Sequence, residues 1–250
     1  MTRLLLSRSL LVLALFITPA VYLNAQTAPP AGAAVRARYT KYEYRVPMRD
    51  GVKLFTSIYV PKDSSHPYPF LITRTPYSVA PYGIDNYPSR LGPSPSFEEE
   101  GFIFVYQDAR GRYMSEGEFL QVRPYKPNKR SAKDIDESTD TYDTIEWLLK
   151  NVANNNGRVG IAGTSYGAWL AVMGMLDPHP ALKAVVQQAS PADMWIGDDF
   201  HHNGAFRLSY GFEYAYMMES SKEITDPTTI IDKLDAYEWY LNLGALSNVD

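Results

Sequence analysis

The chain has 250 residues, enough for one sizeable domain and the start of another. Apolar residues make up 45% and charged residues 21%, an ordinary globular composition that excludes a disordered polar chain. Lys plus Arg is 24 and Asp plus Glu is 28, a net charge of -4; with no long basic run and no Cys/His zinc spacing, nothing points to nucleic acid or a structural metal.

Arg3 and Arg8 precede an apolar run from Leu10 to Leu23, and a small and polar stretch follows at Asn24-Ala25-Gln26-Thr27. This three-part pattern predicts a secretory signal over residues 1–25, and hence export to the periplasm or the medium. The alternative is a membrane anchor, but the run is shorter than the ~20 apolar residues a spanning helix needs and contains Pro19, so no stable span is expected. The chain has no cysteine, so disulfides cannot hold an exported domain together and its core must do so. Residues 26–38, rich in Ala, Pro and Gly, read as a flexible lead-in, with order beginning near Tyr39.

Tyr42, Tyr44 and Val46 alternate with polar residues, and Lys53 to Val60 follows the turn at Arg49-Asp50-Gly51, which predicts a hairpin. Phe70 to Thr73 and Phe102 to Tyr106 are short apolar runs suited to central strands buried on both faces. Tyr142, Ile145, Leu148 and Leu149 recur at helical spacing, with Asp134, Asp136 and Glu137 at the N-terminal end and Lys150 at the other, matching the helix dipole. Asn154 to Gly157 ends that helix. Val159 to Ala162 is a strand, Ala168 to Leu176 a helix stopped at Asp177-Pro178-His179-Pro180, and Lys183 to Gln188 a further strand. Strand and helix in alternation predict an α/β fold with parallel pairing and right-handed crossovers over residues 39–199. Beyond Pro191 the text is aromatic, polar and helical with no strand signal.

Gly163-Thr164-Ser165-Tyr166-Gly167 fits G-x-S-x-G between a predicted strand and a predicted helix. The glycines have a steric cause, because bulky side chains two residues either side of a serine on so sharp a turn would collide with it. Ser165 is the candidate nucleophile and the Tyr166 N–H the expected first oxyanion donor. A second donor should come from the loop after an earlier strand; the Tyr77 hydroxyl could serve, although a tyrosine beside a proline is commonly a packed aromatic. No metal or organic cofactor is required for acyl transfer of this kind. The four histidines, His66, His179, His201 and His202, lie before the serine, in a helix stop, or after only one further strand. In the α/β-hydrolase order of serine, acid, histidine they come too early for the base, and all four read as structural or substrate-side residues.

Several ordered pieces resemble the cocaine esterase, X-prolyl dipeptidyl peptidase and α-amino acid ester hydrolase family of α/β-hydrolases over roughly residues 40–220. They are Met48 to Val52, Arg74 to Tyr77, Gln107 to Gly111, Ser115 to Phe119, and Gly157 to Gly160 running into the elbow. Asp177 to Lys183 with Gly197-Asp198-Asp199 looks closest to the α-amino acid ester hydrolases. The resemblance implies that Ser165 is acylated and that the Tyr166 N–H and the Tyr77 hydroxyl form the oxyanion hole. It matches Asp199 to one carboxylate of a cluster gripping a substrate α-ammonium, against the equal alternative of a solvated or helix-capping acid. It further implies that residues from about 200 begin a helical cap, that the fold is incomplete here, and that the triad acid, the histidine, later strands and a jelly roll lie beyond Asp250. Gly167 departs from the α-amino acid ester hydrolases, which place Glu there. Asp108, Arg110 and Gly111 match a family signature and read as loop structure, with Asp and Arg satisfying buried backbone groups around a glycine turn. The function so implied is hydrolysis of a small ester, amide or short peptide, most like an α-amino acid ester hydrolase. The alternatives are an X-prolyl dipeptidyl peptidase and a non-catalytic binding protein on a hydrolase scaffold.

Overall fold

The computed structural model describes residues 31–197, 199–226 and 236–248. The predicted signal, residues 1–25, and the first part of the lead-in lie outside them. Among the described residues no helix is long and apolar enough to cross a membrane.

The first described element corrects the lead-in. Residues Ala33–Arg38 form a short helix, α1, whose Val35 is completely buried against Tyr39, Tyr59 and Leu91. Alanine and glycine look like linker text, yet one valine on a helical turn is enough to dock this segment on the sheet. Strands β1 (Tyr39–Pro47) and β2 (Lys53–Pro61) then pair antiparallel across the Asp50-Gly51 turn. Strand β3 (Tyr68–Thr75), helix α2 (Pro95–Glu100), strand β4 (Ile103–Asp108) and helix α3 (Glu137–Asn151) follow. Strand β5 (Asn155–Thr164), helix α4 (Tyr166–Met173) and strand β6 (Leu182–Gln188) complete the core.

The six strands lie in the order β1-β2-β4-β3-β5-β6, antiparallel on the β1 side and parallel from β4 to β6. The two apolar runs sit at the centre of the sheet, and their alternation shows why they read as unbroken hydrophobic text. Phe70, Ile72, Ile103 and Val105 pack with Ile145 and Leu148 of α3 and Ala171 of α4 on one face. Leu71 and Phe104 point to the other face, toward Tyr39 and Leu91. Burial on both faces favours unbroken apolar text, although the polar residues at the strand ends, Arg74, Gln107 and Asp108, are buried as well.

Two boundaries differ from expectation. Asn154 does take a left-handed conformation (φ 60°), but Asn155 to Gly157 already belong to β5, where a bulge lets four residues of β5 match two of β3. Helix α4 begins at Tyr166, directly after the serine, rather than at Ala168.

The region after Pro191 also holds strand structure. His201–His202 (β7) and Ala205–Phe206 (β8) form a small antiparallel hairpin. Its two-residue turn, Asn203-Gly204, has φ of 48° and 80°, the combination that Asn-Gly supplies readily. Helix α5 (Leu208–Glu219) and helix α6 (Ala236–Leu243) follow, joined by Phe212 against Trp239 and by a 2.9 Å bond from the Tyr240 hydroxyl to Glu213. Arg112 ties α5 to the core: wholly buried, it donates to the carbonyls of Pro76, Met218 and Ser221.

Candidate active site

Ser165 links the end of β5 to the start of α4 with φ 56° and ψ -126°, a conformation L-residues rarely adopt. Backbone bonds hold it there: its N–H donates to the Gln188 carbonyl of β6 at 2.9 Å, and its own carbonyl accepts from the N–H groups of Ala168 and Trp169. A Cβ on Gly163 would stand 2.1 Å from the Gly167 carbonyl oxygen, so the chain can cross itself here only with glycine at 163. Position 167 is less restricted, since a Cβ would meet the Arg74 carbonyl at 3.2 Å. The same approach shows that the end of β3 passes directly beside the elbow.

The turn leaves Ser165 exposed at a cavity of about 520 Å³. Tyr166 is the first residue of α4, so its N–H has no carbonyl one turn back within the helix. The Tyr166 ring is buried; its hydroxyl accepts from the Val122 N–H at 2.6 Å, and burial raises the phenol above its ordinary value. Asp199 reaches the same cavity and takes a 3.4 Å bond from the Tyr210 hydroxyl. Tyr77, two residues past β3, lies just behind the cavity wall. Its ring meets the Tyr166 ring edge-on at 6.4 Å and its hydroxyl stands 2.7 Å from that of Tyr214, which does line the cavity.

The histidines separate clearly. His66 is exposed beside Ser65 and Tyr68. His179 is buried; its Nδ1 accepts from the Ala181 N–H, which leaves Nε2 to face Glu146 at 2.8 Å. His201 pairs with the Met194 carbonyl, and His202 alone of the four lines the cavity. Among the described residues none of the four is hydrogen-bonded to Ser165, and no group of three or more His, Asp or Glu side chains is placed to hold a metal ion.

Among the cavity residues that sequence reasoning missed are Arg207, Tyr210 and Tyr214. The last two lie one helical turn apart on α5, an i, i+4 aromatic pair whose rings stack at 5.8 Å, and that spacing was the available signal. Arg110 needs correcting. Instead of satisfying backbone groups it grips Asp140 through two bonds of 2.9 and 2.6 Å and reaches Asp50 at 2.7 Å. Asp108 does serve the backbone, accepting from the N–H groups of Val79 and Met114, and burial lifts its carboxyl to about 6. Gly111, at φ 74°, has no room for a Cβ, which would fall 2.1 Å from the Phe119 nitrogen.

Residues 50–243 match the X-Pro dipeptidyl-peptidase (S15 family) profile. Cocaine esterase from Rhodococcus sp. (strain MB1 Bresler) is 31% identical over 163 residues, 65% of this chain and 26% of that protein. A solved α-amino acid ester hydrolase superposes with a TM-score of 0.69 at 35% identity, covering 92% of this chain and 38% of its own. An aminopeptidase from the marine sediment archaeon Thaumarchaeota archaeon gives 0.68 at 36% identity, with 88% and 36% covered. The chain thus spans about a quarter of the length of the curated relative and under two fifths of each solved one. With a mixed sheet, a strained serine at the strand-to-helix elbow and a profile match over most of its length, the chain belongs to the X-Pro dipeptidyl-peptidase (S15) family of α/β-hydrolases.

Proposed function

We propose that the protein is an exported serine hydrolase that cleaves esters or amides of substrates carrying a free α-amino group, with an α-amino acid ester as the leading substrate class. The observation that carries this reading is Ser165, held in a strained conformation with its side chain exposed at a cavity that also contains a carboxylate. Ser165 attacks the acyl carbonyl. The Tyr166 N–H receives the charge that develops on the carbonyl oxygen. The hydroxyl of Tyr77, a side chain that touches the cavity wall at Tyr166 and Tyr214 without lining it, is the second donor, and water then releases the acyl group. The proton passes through a histidine other than the four seen here, because none of them bonds to Ser165. A fluorophosphonate probe is expected to label the full-length protein at Ser165. Labelling that survives Ser165→Ala overturns the proposal, and a parent protein that takes no label favours a binding role for the scaffold.

Asp199 supplies the selectivity. A carboxylate at the cavity gains a charge-assisted hydrogen bond from an α-ammonium, worth roughly 1.5–3 kcal/mol. Asp199→Asn is therefore expected to lower kcat/KM for an α-amino acid methyl ester by about 10- to 100-fold. Turnover of the matching ester without the amino group should change little. Equal losses on both esters would remove the ammonium role.

The profile match favours a second reading, an X-prolyl dipeptidyl peptidase, which also engages a free amine. Side-by-side turnover of a Gly-Pro amide and an α-amino acid methyl ester separates the two, and the leading reading requires the ester to be the better substrate.

A further inference from the structure

Tyr77 and Tyr214 stand 137 positions apart in sequence, yet their hydroxyl oxygens are 2.7 Å apart. Tyr77 belongs to the core, just past β3, where its N–H bonds to Thr75 Oγ1. Tyr214 belongs to α5. Its ring stacks on Tyr210 and meets Phe200 edge-on at 5.6 Å, and both tyrosines pack against the buried cluster of Tyr166, Trp169 and Leu170. Packing on that cluster holds both rings beside the elbow, where their hydroxyls meet.

Each phenol has one hydrogen, and a contact between two of them uses one and leaves one. Which hydrogen is left decides which oxygen can stabilise an oxyanion. A donor to a developing oxyanion must be held in place before the reaction. Tyr77 meets that condition because it extends from the strand beside the elbow, whose Arg74 carbonyl lies against Gly167. We propose that Tyr214 is a positioning residue, donating its hydroxyl hydrogen to the Tyr77 oxygen so that the Tyr77 hydrogen is left for the substrate oxyanion. This rests on the oxyanion role proposed above for Tyr77. Accepting a hydrogen bond also polarises the Tyr77 O–H and makes it the better donor. Burial holds the Tyr214 phenol well above its ordinary range, so the hydrogen stays on it at working pH. The docking of α5 and the readiness of the oxyanion hole become one event, because the bond exists only when that helix is seated.

The test is a double-mutant cycle in the full-length protein with an ester substrate. Tyr77→Phe is expected to lower kcat by about 10²-fold, as for loss of one oxyanion donor. Tyr214→Phe is expected to lower kcat by about 10-fold with KM within about twofold, a loss of transition-state stabilisation only. The double variant should be no slower than Tyr77→Phe alone, and affinity for a boronic acid adduct of Ser165 should fall with kcat. A Tyr214→Phe loss that persists in full on the Tyr77→Phe background overturns the inference, as does a loss larger than that of Tyr77→Phe. An inactive pair of hydroxyls would show differently, since Tyr77→Phe without effect refutes the oxyanion role itself. Tyr214→3-fluorotyrosine keeps the shape and strengthens the donor. It should match or exceed the unmodified enzyme, and a fall in kcat counts against the assignment even if the Phe variant does not fold.

Discussion

Ser165→Ala is expected to lower kcat of the full-length protein by roughly 10⁴- to 10⁶-fold and to leave its fold intact, because a serine nucleophile and its base act as one unit. The hydroxyl is exposed and its removal empties no part of the core. The backbone at φ 56° and ψ -126° is strained for any L-residue, and the alanine variant retains that strain. Glycine relieves it. Ser165→Gly should therefore be as inactive as Ser165→Ala but more stable, by about 1 kcal/mol. Thermal unfolding of the three proteins checks this. A glycine variant no more stable than the alanine variant would show that the elbow stores no strain. Substantial residual turnover in Ser165→Ala would remove the nucleophile from this position.

The elbow was legible because its cause is local. Gly163 is set by a chain crossing within five residues, and a motif of that length carries its own steric explanation, whereas Gly167 faces the Arg74 carbonyl and is less tightly restricted. The two central strands were legible for a similar reason, since burial on both faces writes itself as continuous apolar text. The hairpin at Asn203-Gly204 was also written locally and was passed over, because the flanking strands are only two residues long and show no alternation. Other features depend on partners that a linear reading cannot supply. The acidic start of α3 reads as a complement to the helix dipole, and Asp136 does form a capping box with Thr139. Glu137 and Asp140, however, are buried, and their partners Arg74 and Arg110 lie 30 to 66 positions earlier. The cavity wall is of the same kind: Tyr214 gains its meaning from Tyr77, across the whole core. Local sterics and two-sided burial can be read in order along a chain, whereas charge pairing and cavity closure are properties of the assembled fold.

That buried charge cluster carries the largest expected effect on stability. Arg74, 1% exposed, donates from Nε to Gln107 at 2.8 Å and from Nη1 to the Glu137 carbonyl and Thr141 Oγ1, and its Nη2 lies 3.0 Å from a Glu137 carboxylate oxygen. Asp140 stands between Arg74 and Arg110, so the two guanidinium groups face Glu137 and Asp140 in a region closed to water, and Arg110 also reaches Asp50 at its edge. Removing one partner from such a cluster leaves a buried charge without compensation, at a cost of about 3–5 kcal/mol. Arg74→Met, which keeps much of the side-chain volume, is expected to lose that amount in denaturant unfolding at neutral pH. The loss should also depend on pH. Burial already pushes the Glu137 carboxyl above its ordinary value, and the Arg74 charge opposes that rise. Without Arg74 the folded variant holds a proton on Glu137 to higher pH than the unfolded chain does. A group that binds its proton more tightly when folded makes stability fall as pH rises. The deficit of Arg74→Met relative to the parent should therefore be smaller at pH 5 than at pH 8. Because Arg74 ends the strand beside the elbow and its carbonyl touches Gly167, activity should fade in the variant before global unfolding. A deficit below about 1 kcal/mol, or one that grows as the pH is lowered, would show that the cluster is solvated rather than sealed under the site.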